Sequence, residues 1–208
     1  SGGRTDGEGT SARAEVTATG KRLLATTVRS VSTDQRPTPS VVVVQALPKG
    51  DRGELAVEVL TEIGVETIVP WAASRSIAQW RGERAAKSHA KWSATAREAA
   101  KQSRRSWFPT VSPLASTGDV AALLRDADVA VVLHEDATVP LSAVPVPADA
   151  TIVVVVGPEG GISAEELAIF AEASGLPVRL GREVLRTSTA GVAAVAAVLA
   201  NTPRWSRS

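Results

Sequence analysis

Cysteine is absent from this chain of 208 residues. Without a thiol there is no disulfide framework and no thiolate-held metal, which fits a reducing, cytoplasmic setting. Histidine is scarce: His89 and His134 are the only two, too few for a histidine-built zinc site. No metal is therefore expected. Methionine is missing, initiator included, so the natural chain is expected to start upstream of Ser1. No apolar run reaches the roughly 20 residues that span a bilayer. Nor is there a signal-peptide pattern, so a soluble protein with no membrane partner is expected. What the chain does have is apolar content, 44% of its residues. That is enough for one large domain, or for one domain with a small companion.

The formal net charge is +1, but charge is unevenly spread. Arg75 to Arg105 holds nine Lys or Arg against two Glu, whereas from Ser106 onward six basic residues face eleven acidic ones. Such a local excess is the footprint of a polyanion or a solvated basic helix face, and charge alone does not choose between them.

Residues 12–31 are rich in Val and Thr around a Thr-Gly-Lys-Arg turn, the pattern of a β-hairpin. Thirty residues cannot bury a core alone. "TDQRPTPS" (33–40) reads as a linker. A new texture begins at Val41. "VVVVQAL" is a strand covered on both faces, followed by a helix in which Asp51 and Glu54 have capping-box spacing. "VETIVP" is the next strand, completing a parallel βαβ unit. Residues 83–104 are helix-compatible and carry most of the basic cluster. A short strand at "FPTV", a helix at "TGDVAALLRDA" and the buried strands "VAVVLHE" and "TIVVVVG" follow. Ser163 and Glu166 form a second capping box, "PVRLG" is a last strand, and "TSTAGVAAVAAVLA" is a last helix. Alternation from residue 41 onward predicts an α/β fold with a mostly parallel sheet and helices on both faces.

Parallel sheets bind ligands beyond the carboxyl ends of their strands. Three such ends carry unusual residues: "VLHE" (132–135), "VGPEGG" (156–161) and "LGREVLRTST" (180–189). If their strands are neighbours, these segments meet in one pocket. Glycines there allow close backbone approach and the proline stiffens the turn. The pocket would offer main-chain amides and carbonyls to a ligand with hydrogen-bonding edges, such as adenine. It is neither a Walker A loop nor a dinucleotide fingerprint. Arg186, beside Thr187, Ser188 and Thr189, can hold an anion through bidentate contacts, while the hydroxyls cap a helix. His134 is either a general base or a hydrogen-bonded structural residue.

Together, "GPEGG", "LG..VLR." and the Thr-Ala helix start resemble the RsmE-type 16S ribosomal RNA uridine-N3 methyltransferases of the SPOUT superfamily. "REAAKQSRRSWFPTV" (97–111) and "LHE" extend the resemblance over about 41–200. It implies a C-terminal trefoil knot that holds S-adenosyl-L-methionine, a homodimer, and a small PUA-like β-barrel at the N-terminus. Residues 1–35 would be the last part of such a barrel, with a linker to 40, and 41–208 the SPOUT methyltransferase domain. The cofactor residues it implies are Leu133 and His134 on the first segment; Gly157, Pro158, Glu159, Gly160 and Gly161 on the second; and Leu180, Gly181, Val184, Leu185, Arg186 and Thr189 on the third. The family usually carries an acidic residue where this chain has Ser188.

The implied reaction needs the uracil N3 proton removed and the resulting imide anion stabilised. Arg186 fits the second role, and Glu159 and His134 are the candidates for the first. Ribosomal RNA of the small subunit is the implied partner, gripped by Arg97, Lys101, Arg104 and Arg105 with Trp107 for stacking. Three other readings remain open: a SPOUT ribose 2′-O-methyltransferase, a non-catalytic RNA-binding assembly factor, and a generic α/β nucleotide-binding module that would bind ATP.

Overall fold

The computed structural model describes residues 2–22 and 24–206. Ser1, at the start of the expected first domain, Leu23, at the start of an expected β-segment, and Arg207 and Ser208, at the end of the expected second domain, lie outside the described residues.

The N-terminal region is an antiparallel sheet in the order β1 (Gly2–Thr5), β2 (Thr10–Thr19), β3 (Leu24–Thr33). The β2–β3 hairpin turns at the expected Thr-Gly-Lys-Arg stretch. β1 carries no alternating pattern of its own and is recruited by pairing Gly2–Thr5 against Ser11–Ala14.

The second region is a six-stranded sheet in the order β6-β5-β4-β8-β7-β9, with every pairing parallel. Its strands are β4 (Ser40–Ala46), β5 (Thr67–Trp71), β6 (Thr110–Val111), β7 (Val129–Leu133), β8 (Thr151–Val156) and β9 (Leu176–Val178). β9 is shorter than the expected "PVRLG", because after Val178 the backbone N–H of Arg179 turns to the carbonyl of Val139. The longer helices are α1 (Arg52–Ile63), α2 (Glu83–Gln102), α3 (Thr117–Asp126), α4 (Ala164–Glu172) and α5 (Thr187–Ala200), and a four-residue helix, Pro203–Ser206, follows α5.

The valine runs are explained by two-sided burial. Val41 and Val43 join one core with Val154 and Val156, under α1, α2 and α5. Val44, Val153 and Val155 join the other, under α3 and α4. A strand covered on both faces cannot alternate with polar residues, so it reads as a continuous apolar run.

Two helix starts separate expectation from outcome. Ser163 caps α4 through Glu166 as its spacing predicts, and Ser116 and Asp119 build an equivalent box at α3. Asp51 has the spacing but makes no side-chain cap bond, because its backbone (φ −82°, ψ 7°) is not in the extended conformation that aims a cap inward. No helix among the described residues is long and apolar enough to cross a membrane.

The two regions meet around Trp107 and Phe108. Gly9 N–H donates to the Ser106 carbonyl and Phe108 N–H to that of Gly7.

Candidate functional site

β7 sits between β8 and β9, so the segments leaving these three strands emerge side by side at the carboxyl edge of the sheet. They enclose a cavity of about 590 Å³, within the range of small-molecule sites. The expected residues Leu133, His134, Gly157, Pro158, Glu159, Gly160, Gly161, Leu180, Gly181, Val184, Leu185 and Arg186 all line it. Thr189 does not. It lies inside the first turn of α5, where its hydroxyl donates to the Arg186 carbonyl at 3.3 Å. Ser188 is buried beside it, also outside the lining.

Local chemistry shapes each segment. After β8, the N–H of Gly161 bonds back to the Pro158 carbonyl at 2.9 Å, closing a tight turn. Gly161 has φ +73°, which a branched residue would adopt only under strain. A Cβ at Gly157 would lie 2.7 Å from Ile162 Cγ1, so this turn folds onto its own helix start only with glycine there. After β9, residues 180–185 make no hydrogen bond through their backbone to any described residue. Main-chain N–H and C=O groups left free along a cavity wall are the groups a ligand or water must satisfy.

The two candidate bases are not equivalent. His134 Nδ1 accepts from the N–H of Asp136 at 3.3 Å. In the neutral ring this leaves the proton on Nε2, which then donates rather than accepts. Glu159 Oε1 accepts from the N–H of Lys49 at 3.2 Å, leaving its other oxygen without a described partner. Arg186 is the N-cap of α5 yet makes no side-chain cap bond, and its guanidinium is exposed at the cavity.

The domain described as "RNA methyltransferase domain" matches residues 34–199. The chain belongs to this RNA methyltransferase family. It is 44% identical over 174 residues to ribosomal RNA small subunit methyltransferase E of Mycobacterium tuberculosis, covering 82% of this chain and 66% of that protein. The chain thus spans just under two thirds of that relative's length. It is 30% identical over 199 residues to the Bacillus subtilis protein of the same name, covering 92% of this chain and 78% of that one. Among solved structures it resembles ribosomal RNA small subunit methyltransferase E of Neisseria gonorrhoeae bound to S-adenosyl methionine. The TM-score is 0.83 at 29% identity, covering 95% of this chain and 81% of that chain. The sheet with its helices is thus the α/β fold of the SPOUT methyltransferases.

Two of the five residues expected to contact RNA are otherwise engaged. Arg105 Nη1 donates to the carbonyls of Thr61 (2.9 Å) and Val65 (2.6 Å), closing the end of α1. Burial lowers its guanidinium to about 10, with Glu66 acting in the opposite direction, so it stays charged at neutral pH. Trp107 donates from Nε1 to the Asp34 carbonyl at 3.0 Å, and Arg36 stacks 4.6 Å from its ring centroid. It fastens the N-terminal sheet to the α/β region. Arg97, Lys101 and Arg104 remain exposed. Of these, Arg97 lies 5.8 Å from the Phe108 ring centroid and Lys101 pairs with Glu98 at 2.6 Å.

Two functional contacts escaped sequence reasoning because they join distant segments. Gln45 Nε2, fully buried at the end of β4, donates to the Thr187 carbonyl at 3.2 Å and ties that strand to the start of α5. Glu166 does more than cap α4. Its carboxylate accepts from Ser74 N–H (2.7 Å), Ser74 Oγ (2.9 Å), Ser163 N–H (3.0 Å) and Thr117 Oγ1 (3.3 Å). Burial opposes its ionisation, but these hydrogen bonds outweigh that and hold the carboxyl below its ordinary value of 4.5. A carboxyl lowered on folding stabilises the fold fully above its unfolded value, and that contribution is lost as pH falls through the folded one. Glu166→Gln can accept through one oxygen only and turns an NH₂ toward donors. It is expected to cost about 2 kcal/mol near neutral pH, read from urea unfolding. The gap to wild type should narrow as pH drops below 4.5.

Proposed function

We propose that the chain is an S-adenosylmethionine-dependent methyltransferase acting on N3 of a uridine in 16S ribosomal RNA of the small ribosomal subunit. The observation that carries this reading is the cavity where the three segments beyond β7, β8 and β9 meet, walled by unpaired main chain at 180–185. Relatives bearing the small-subunit methyltransferase name, one of them bound to the cofactor, support it.

The wall chemistry fits the cofactor. Free amides and carbonyls match the edge of an adenine, and the carboxylates of Glu135, Asp136 and Glu183 at the cavity suit a ligand bearing ammonium and sulfonium charges. When bound, S-adenosylmethionine supplies an electrophilic methyl group. The residues Leu133, His134, Gly157 to Gly161, Leu180, Gly181, Val184 and Leu185 shape its seat, and Thr189 supports it from behind through the Arg186 carbonyl.

Arg186 stabilises negative charge on the uracil carbonyl oxygens as N3 loses its proton. Glu159 is the better placed of the two bases, since one of its oxygens has no described partner. His134 acts as a hydrogen-bond donor through Nε2. Holding the reactants in line contributes much of the remaining rate.

The proposal includes the finer architecture implied by the family: a trefoil knot over the C-terminal segments, a homodimer working in the cytoplasm without a metal, and residues 1–35 as the end of a PUA-like barrel joined by a linker to the catalytic domain at 41–208.

The test is nucleoside mass spectrometry of small-subunit RNA from a strain lacking the full-length protein. One N3-methyluridine should disappear and return on complementation. An unchanged N3-methyluridine content, or loss of a ribose methyl group instead, would refute the assignment.

A further inference from the structure

The cavity's charged groups fall into two sets: the segments after β7 and β9 mix carboxylates with Arg179, Arg182 and Arg186, whereas the segments after β4 and β5 bring only arginines to the lining. Glu135 and Asp136 follow β7, and Glu183 follows β9. Across from them stand Arg52 and Arg75, from the segments that follow β4 and β5 on the other side of β8. Both arginines are exposed. Neither has an ion-pair partner within 4.0 Å among the described residues.

The basic wall is fixed in place. Arg75 Nη1 donates to the Gly160 carbonyl at 3.2 Å, and its neighbour Ser74 is held by the buried Glu166 carboxylate. On the β4 side, the N–H of Lys49 bonds to Glu159. The segments bearing both arginines are thus pinned to the turn that floors the cavity.

The basic surface continues outward from this wall. β5 and β6 are parallel, so α2, which connects them, starts at the cavity edge of the sheet and ends at the opposite edge. Arg84 and Lys87 lie in its first turns, exposed and without ion-pair partners among the described residues. Arg97, Lys101 and Arg104 lie at its far end; a 20-residue helix is about 30 Å long.

We infer that Arg52 and Arg75 grip backbone phosphates of the substrate RNA at the cavity mouth, and that the strand enters over the segments after β4 and β5 along Arg84 and Lys87. This rests on the proposed function and adds which wall takes which ligand. The cationic cofactor lies toward Glu135, Asp136 and Glu183, and the polyanion against Arg52 and Arg75. Phosphate contacts of this kind set register and carry no base information.

The test uses the full chain with a 16S ribosomal RNA transcript, titrated between about 50 and 200 mM salt, and calorimetry with S-adenosylmethionine in parallel. For the Arg52→Ala, Arg75→Ala double variant, the slope of log affinity against log salt should shrink by about 0.7–0.9 for each lost phosphate contact. Cofactor affinity should stay unchanged in Arg52→Ala, since Arg52 makes no bond to the Gly157–Gly161 turn, and should fall less than RNA affinity in the double variant, which also loses the Arg75–Gly160 bond. Arg75→Lys should keep most of the slope. Arg125→Ala, an exposed arginine near the end of α3 and so at the opposite edge of the sheet, should keep all of it. A double variant with the wild-type slope overturns the inference, as does a loss of cofactor affinity in its place, which would assign the arginines to the cofactor's carboxylate. Failure of the wild-type protein to bind the cofactor would instead overturn the proposed function beneath it.

Discussion

Alanine at position 186 is expected to slow methyl transfer by about 10²–10³-fold, the effect of deleting one preorganised group that stabilises a developing anion. The Arg186 side chain makes no hydrogen bond to a described residue and does not cap α5, so its removal breaks nothing in the fold. Unfolding free energy should therefore stay within about 0.5 kcal/mol of wild type. Single-turnover methylation of small-subunit RNA, followed at saturating cofactor, reads the rate directly. Arg186→Lys keeps the charge but loses the planar fork, so an intermediate rate is expected. If both variants lose cofactor binding and keep the rate once saturated, Arg186 is a cofactor residue and the anion is stabilised elsewhere.

Trp71→Ala is expected to cost about 3–5 kcal/mol, the largest stability loss considered. Trp71 is fully buried at the end of β5. Its ring meets Phe170 edge-on with centroids 5.2 Å apart, and Nε1 donates to Thr117 Oγ1 at 3.3 Å. One side chain thus joins the sheet to α3 and α4, and it underlies the segment that carries Arg75. Urea unfolding should show a lower midpoint with an unchanged slope. Trp71→Phe keeps the aromatic contact and loses the Thr117 bond, so a smaller shift is expected. A midpoint for Trp71→Ala equal to wild type would mean that this core tolerates a cavity, against its two-sided packing.

Much of the α/β region was legible because its signals are local. The runs at Val41–Val44 and Ile152–Val156 are strands whose two faces enter two cores. The Ser163–Glu166 box caps α4 as its spacing predicts. The three strand ends carry their glycines, proline and arginine in plain view, and the sheet order brings them together.

What was not legible depends on residues far apart in the chain. Arg105 and Trp107 sit in a basic, aromatic stretch that resembles an RNA grip. Their partners are carbonyls of Thr61, Val65 and Asp34, which only the tertiary fold brings near. Asp51 shows that spacing is not sufficient, since a cap also needs extended backbone at its own position. Arg52 looks like an ordinary surface arginine in the sequence, and Arg75 like one end of the basic stretch that runs to Arg105. They become part of the cavity because β4 and β5 end beside β8.

Titration of the full-length protein with S-adenosylmethionine in a calorimeter addresses the account most directly, since every role assigned above presupposes that ligand in the cavity beyond β7, β8 and β9. Saturable binding at one site per chain is predicted, abolished by Gly157→Val, whose branched side chain would collide with Ile162 and close the turn against the ligand. Absence of binding at about 1 mM cofactor, or binding that the Gly157→Val variant retains in full, would contradict it.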